Sequence, residues 1–600
     1  MLAVIVVLGL YGATVQRGLV NYDDPWLIED NTLLASGKLG ALAPIWFDAS
    51  PDTRVMLGSE YLPVRDVSVL LDHVVWGRHY GAFHATNVML YALAIVAWFA
   101  ALCAFGFERR VVGLAVLIWA IHPAHAESVA WLSERKGVLG ALFAGLAVLG
   151  YARFRRGDRG AWLGLAAVAA IAAVWSKAPS AFAVAAVGAL ELWAPATRAN
   201  MRRVVGGLGV LAVVVAAAFV PVLWVASLMR VVVEDAPAPA GWGAMVTGVH
   251  GFYLQLTAAV MPNAVSYPIA SVGPSVGQIV LGVVGLTAAL AAVCMPARGR
   301  WCPPAAVRAG AALWLVSWFP VSRIVLPVRG VVVADRYLMF MSLGAALAVA
   351  AGLLWLPASR LRTGLVVALL AALGLRAFDA QDTWRDDLSL WRRAVMSNPA
   401  DSSSWSSYAE ALAKAGHAEL AEAAVQEGLA IQRGPRLVLR AALQALDRGD
   451  QALGRQLMRE AADGGDFRAM ANLATLERRD GRLDDALAWA RKSVANAPQY
   501  AHGQRTLGEI AAELGLDAEA LAALDRAHRL QPTNAPVRLA RAAAGALIGP
   551  GLSPPRSPTH RSRCAPRRGS RPARQRRAAR ECRGAPYQRN TSRAPRTWTS

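Results

Sequence analysis

The sequence predicts an all-α chain. It reads as a polytopic membrane domain of about eleven spans over residues 1–380, a junction at 381–399, a helical-repeat solenoid at 400–548 and a disordered tail at 549–600. Three observations lead there. The 600 residues are 55% hydrophobic and only 17% charged, with mean hydropathy +0.36, which is too apolar for a soluble protein and too long for one domain. The apolar residues are concentrated before about residue 380. Beyond that point the chain turns polar and Ala-rich, and glycines recur at a fixed interval.

The spans come first. Apolar runs lie near residues 1–16, 86–106, 111–122, 137–152, 160–176, 179–194, 203–227, 276–296, 305–320, 338–357 and 362–379. Several are shorter than the roughly 20 residues a bilayer needs, so their ends extend into flanking sequence. The first run lacks a basic lead and a small-residue cleavage site, so it reads as a span rather than a signal peptide. Basic clusters recur between alternate pairs of spans: Arg109-Arg110, Arg153 to Arg156, Arg202-Arg203, Arg298 with Arg300, and Arg360 with Arg362. The positive-inside rule places them in the cytoplasm, with the N-terminus. The segments at 17–85, 122–136, around Lys177, 228–275 and 321–336 then face outward, and so does the C-terminal domain. The stretch 248–262 is apolar but short, ends at Pro262 and would break this parity; it reads as interfacial or re-entrant.

The outward segments collect the chemistry. The first holds Tyr22-Asp23-Asp24-Pro25-Trp26. Adjacent carboxylates at a membrane boundary are costly there. They suit a general base or ligands to a phosphate-bound cation, although Asp and Pro also make a plain solvated turn. Next come Tyr61-Leu62-Pro63-Val64-Arg65-Asp66 and an amphipathic stretch through Trp76 that suits a helix in the interface. A second outward segment holds His122-Pro123-Ala124-His125-Ala126-Glu127, Trp131 and Glu134-Arg135-Lys136. Two histidines three apart with no third ligand are a weak metal signal, so the metal reading is none and interfacial hydrogen bonding is preferred. Arg135 and Lys136 can anchor a span end in headgroups or bind phosphate. Lys177 follows Trp175-Ser176 with no acid nearby in sequence, so it should seek an anionic partner. The last segment ends in Ala334-Asp335-Arg336-Tyr337. Acids and bases gathered at one membrane face suit a lipid-linked anionic substrate.

The repeats follow. Turn glycines Gly416, Gly449, Gly481 and Gly515 are 33, 32 and 34 residues apart, a period close to the 34 of tetratricopeptide repeats. Five residues after each stands a small residue, Ala421, Gly454, Ala486 and Ala520, where two helices must approach closely. Pro498 and Pro532 end their repeats, and a last helix is expected near 535–547. Such solenoids bind extended peptides on a concave face. Trp384, Trp391 and Trp405, at the junction, suit either docking onto the membrane domain or a core role.

The tail dominates the net charge of +21. Residues 551–600 hold 14 Arg against one Glu. Without apolar periodicity this stretch should be disordered. An Arg-rich arm can bind anionic lipid or nucleic acid nonspecifically, but the same Arg/Pro/Ala/Ser/Gly mixture is what a shifted frame of a GC-rich gene encodes. No specific nucleic-acid partner is expected. The cysteines Cys103, Cys294, Cys302, Cys564 and Cys582 show neither metal spacing nor a disulfide pattern.

In their order, these motifs resemble the transmembrane and tetratricopeptide-repeat O-mannosyltransferase family, whose membrane fold is that of C-type glycosyltransferases. The residues carrying the resemblance are Tyr22-Asp23-Asp24 with Asn31, Tyr61-Leu62-Pro63-Val64, His84-Ala85-Thr86-Asn87, His122 to Ala130, Ser176-Lys177 and Ala334 to Leu338. The His-Pro-x-His-x-Glu block is the most specific. The resemblance covers about residues 10–545. It implies transfer of a sugar, mannose in the family, from a polyprenyl-phosphate donor to Ser or Thr hydroxyls of exported proteins, with the repeats binding the acceptor. It maps the base onto Asp23 or Asp24 and a second acid onto Glu127. Substrate binding falls to Arg65, His122, His125, Arg135, Lys136, Lys177, Asp335, Arg336 and Tyr337. A divalent cation is left open, and the setting implied is a bacterial inner membrane with the repeats outside. Three positions depart from the family: Ala178 where an acid is usual, Leu62 where Arg is usual, and Met341 where Pro is usual. These leave the acids intact but bear on donor recognition. A nonenzymatic scaffold that recruits partners through the repeats is the alternative. A flippase for a lipid-linked glycan fits less well, because its charges would sit nearer the bilayer midplane.

Overall fold

The computed structural model describes residues 1–193, 201–229, 241–259, 261–295, 304–322, 324, 332–531 and 534–548. The expected tail at 549–600, Arg298 and Arg300, Cys302, Cys564, Cys582 and Pro532 lie outside the described residues. Among the described residues the regular structure is helical, with no strand. The chain divides into two compact units, Met1–Gly464 and Gly465–Ser600.

In the first unit a helix occupies each of the eleven apolar runs. Among the described residues six helices are long and apolar enough to cross a membrane: Tyr80–Phe105, Leu132–Arg155, Met201–Leu228, Val276–Cys294, Asp335–Trp355 and Arg360–Asp382. A seventh crossing is counted if Arg109–Ala120 and Pro123–Ala130, bent by 55° where they meet, form one span. Leu2–Gln16, Ala161–Ser176, Ser180–Trp193 and Ala305–Val321 are apolar but shorter. Helix Arg135–Arg155 packs between Tyr80–Phe105 and Ala161–Ser176, and Leu338–Trp355 packs between Ala305–Trp318 and Arg109–Ala120. Glycines permit the closest approaches. A Cβ on Gly344 would stand 2.6 Å from the Gly310 carbonyl oxygen, and one on Gly251 would stand 1.8 Å from that of Gln278. Small residues at such crossings let backbones touch where lipid supplies no hydrophobic drive. Val276–Cys294 and Met201–Leu228 keep most of their apolar side chains on the outside, as a helix bathed in lipid would.

Two boundaries differ from the sequence expectation. The second apolar helix starts at Tyr80 rather than near residue 86, so His84 lies inside its first turns rather than before it. The stretch expected to be interfacial belongs to helix Trp242–Thr257, which ends before Pro262 and packs along Val276–Cys294.

Pairs of antiparallel helices follow the last long apolar helix. Within the first unit these are Ser402–Lys414 with Ala418–Ile431 and Pro435–Asp447 with Gln451–Asp463. Within the second unit they are Phe467–Arg479 with Leu483–Asn496 and Ala501–Glu513 with Asp517–Leu530, then helix Ala535–Ile548. Each pair turns at one of the four expected glycines. Gly416, Gly449, Gly481 and Gly515 have φ between +71° and +90°, a region where a side chain is strained. Ala421, Ala486 and Ala520 are buried at the crossings, and a Cβ on Gly454 would meet Leu446 at 2.5 Å.

Candidate active site

The segment that carries the acid pair begins where helix Leu2–Tyr11 and its last turn Gly12–Gln16 end. Residues 17–22 follow in non-helical conformation and lead into Asp23 and Asp24, and the turn Pro25–Glu29 follows. The two acids sit in different surroundings. Asp24 is buried: its Oδ1 accepts the Ser133 backbone N–H at 2.9 Å and hydroxyl at 2.5 Å, and its Oδ2 accepts the Val20 N–H at 3.1 Å. Burial pushes its carboxyl up to about 6, against the pull of those hydrogen bonds. Asp23 is half-buried and takes one long N–H from Trp26 at 3.4 Å, with no other side-chain hydrogen bond among the described residues. Burial raises its carboxyl above the ordinary value as well; Lys136, the Trp26 N–H and Arg336 hold it down.

Beside Asp23 lies a run of ion pairs. Lys177 caps helix Ala161–Ser176 and pairs with Glu134, which is fully buried. The second Glu134 oxygen is 3.9 Å from Arg336 Nε. Arg336 is locked onto Glu127, which accepts its backbone N–H at 2.7 Å and its guanidinium at 2.5 Å. Lys136 donates to Glu60 at 3.0 Å, and Glu60 also receives Arg65 at 3.3 Å. Arg65 pairs with buried Asp66 at 2.7 Å; burial pushes the Asp66 carboxyl up to about 6, opposed by that Arg. Tyr337 lies under two of the cations, 5.9 Å from Lys177 and 5.3 Å from Arg336. Gly137 makes the space, since a Cβ there would press on Glu134, Ser128 and Lys177.

The remaining expected site residues serve other contacts. Arg135 is buried and bonds Asp72 at 2.6 Å, Asn87 at 2.6 Å and the Phe83 carbonyl at 2.9 Å, which ties the amphipathic helix Pro63–Trp76 to helix Tyr80–Phe105. His122 donates to the Thr257 carbonyl at 3.0 Å. His125 lies between the hydroxyls of Tyr91 at 2.7 Å and Ser342 at 2.9 Å. The two histidines thus pin the bend before Glu127 to three neighbouring helices. Asp335 accepts the Tyr267 hydroxyl at 2.5 Å and the Asn263 amide at 2.7 Å, which fixes the turn presenting Arg336. Among the described residues no group of three or more His, Cys, Asp or Glu is placed to hold a metal ion.

Four partners were given no role from sequence: Ser133, Glu134, Glu60 and Gly137. Glu134 carried a signal, as an acid in the same outward segment as two cations. Ser133, Glu60 and Gly137 carried none, since their roles depend on what folds against them. Trp384 stacks on Trp131 at 5.0 Å and, with Trp391, encloses Tyr22. Trp405 instead lies in the core of the helix pairs that follow.

The arrangement can accept a proton at Asp23 and stabilise an anion arriving near Arg336, Lys177 and Lys136. No known family model matches the chain. Over 206 residues, 33% of this chain, it is 28% identical to the protein O-mannosyl-transferase Tmtc1 of Drosophila melanogaster. The match spans 23% of that protein's length.

Proposed function

We propose that the chain is a membrane glycosyltransferase that moves a sugar from a polyprenyl-phosphate donor to Ser or Thr hydroxyls of exported proteins. The observation that carries this reading is Asp23, a carboxylate with open acceptor capacity whose charge Lys136 and Arg336 offset. The partial likeness to a protein O-mannosyl-transferase supports it and makes mannose the sugar to try first. In the reaction the acceptor hydroxyl loses its proton to Asp23 as its oxygen bonds to the sugar C1. The bond from C1 to the phosphate oxygen breaks, and the lipid phosphate leaves with the electron pair. Arg336, Lys177 and Lys136 offset the growing charge where water is scarce. Glu127, Glu134 and Glu60 hold those cations in place. Asp24 shapes the loop rather than taking the proton.

In this reading the eleven apolar helices all cross, the N-terminus is cytoplasmic and the acid loop faces outward. The helix pairs are tetratricopeptide repeats that bind the acceptor. A bacterial inner membrane is the setting. One observation favours the second reading, a nonenzymatic scaffold: Lys177, Arg336 and Lys136 each already pair with a carboxylate.

The test is transfer of labelled mannose from polyprenyl-phosphate mannose to secreted protein by membranes carrying the chain. Asp23→Asn should lower the rate at least about 100-fold with insertion unchanged. Full activity in the Asp23→Asn/Asp24→Asn double variant would sink the base assignment. Absence of transfer by the wild type with every sugar donor tried decides for the scaffold.

A further inference from the structure

Residues 17–22 carry the chain into the acid pair without a regular element of their own, so their polar groups need outside partners. His84 meets the Gly18 carbonyl and Asp24 the Val20 N–H, and three further partners come from the far end of the first unit. Arg17 Nη1 donates to the Gln381 carbonyl at 2.6 Å. The Asn21 backbone N–H donates to the Asp387 carboxylate at 2.6 Å, and its side-chain amide reaches Glu410 at 3.4 Å. Tyr22 lies among Trp131, Trp384 and Trp391, with ring centroids 5.0, 6.3 and 5.7 Å away. On the other side Asp24 is tied to Ser133. Asp23 lies between these two anchors.

We propose that Asp387 is a positioning residue for the Asp23 carboxylate, and that helix Asp387–Ser397 braces the acid loop from the junction. The proposal rests on the reading of Asp23 as base. Adjacent acids divide the work. Asp386 caps the helix, accepting the Ser389 N–H at 2.8 Å, so Asp387 is released from capping and its carboxylate meets Asn21. A hydrogen bond to a carboxylate is roughly twice as strong as a neutral one. It fixes the peptide two residues before Asp23, and so the direction from which that carboxylate meets the acceptor hydroxyl.

The experiment compares Asp387→Ala and Asp387→Asn with wild type, each as the full chain in lipid nanodiscs. Hydrogen exchange of residues 17–24 and the kinetics of mannose transfer are both measured. Asp387→Ala should speed exchange at Asn21 and Tyr22 about fivefold or more. It should also lower kcat about tenfold, with the KM for donor within about twofold. Asp387→Asn, whose amide oxygen still accepts the Asn21 N–H, should restore both. If the Ala variant folds poorly, Asp387→Ser takes its place, since its hydroxyl suits a helix start but falls short of Asn21. Wild-type exchange in the Ala or Ser variant, or faster exchange there with unchanged kcat, overturns the proposal. If the wild type transfers no sugar at all, the enzyme reading fails, and the exchange data alone decide whether Asp387 braces the loop.

Discussion

Asp23 and Asp24 share a peptide bond but not an environment. The folded state holds a proton on Asp24 more tightly than the unfolded chain does, with the carboxyl raised from 3.8 to about 6. That contribution to stability is full below pH 3.8 and is lost as pH rises through about 6. Its size is on the order of 3 kcal/mol. Asp66 is raised to about 6 too and acts in the same direction. The thermal midpoint of Asp24→Asn in detergent, taken relative to wild type, should therefore rise between pH 4 and pH 7; a difference that stays constant with pH counts against the buried state of this acid. The presence of acids and cations at one face was legible from residue types and order. Their division of labour was not. Ser133 is 109 residues from Asp24, and Glu134 is 43 from the lysine it neutralises. Arg135 and Lys136 were expected to act alike. Successive helix positions point about 100° apart, so one ties helices together while the other joins the ion pairs.

At the scale of elements, apolar runs located the long helices because nothing else keeps such stretches from water. Their starts were harder to see. Tyr80 to Ala85 is polar enough to pass for loop, yet His84 and Asn87 are buried against Gly18 and Val129 carbonyls. The turn glycines were legible because the positive φ they adopt leaves little choice of residue. Gly344 was not, since its demand comes from a helix elsewhere in sequence. It lets Leu338–Trp355, the helix that follows Arg336, sit against Ala305–Trp318. Gly344→Ala should cost about 1–3 kcal/mol by overpacking. Gly352 on the same helix has open space beyond it, so Gly352→Ala should be neutral or gain up to about 1 kcal/mol in helix propensity. Thermal midpoints of the pair check this, and equal losses would count against close helix contact at Gly344.

At the scale of the molecule, the proposed orientation makes a direct claim. In a chain whose five native cysteines are replaced by serine, Ser403→Cys should react with an impermeant maleimide from outside intact cells. Arg156→Cys should react only after the membrane is opened. The reverse pattern would invert the topology and put Asp23 on the wrong side for exported acceptors. The contact between Asn21 and Asp387 joins residues 366 apart. A ribosome adding about 5–20 residues per second delivers the acid pair roughly 20–70 s before its brace. Through that interval the nascent acid loop lacks its contact with Asp387. Under the proposed function, a chain cut short before Asp387 carries the acid pair without its brace and should transfer sugar no faster than Asp387→Ala.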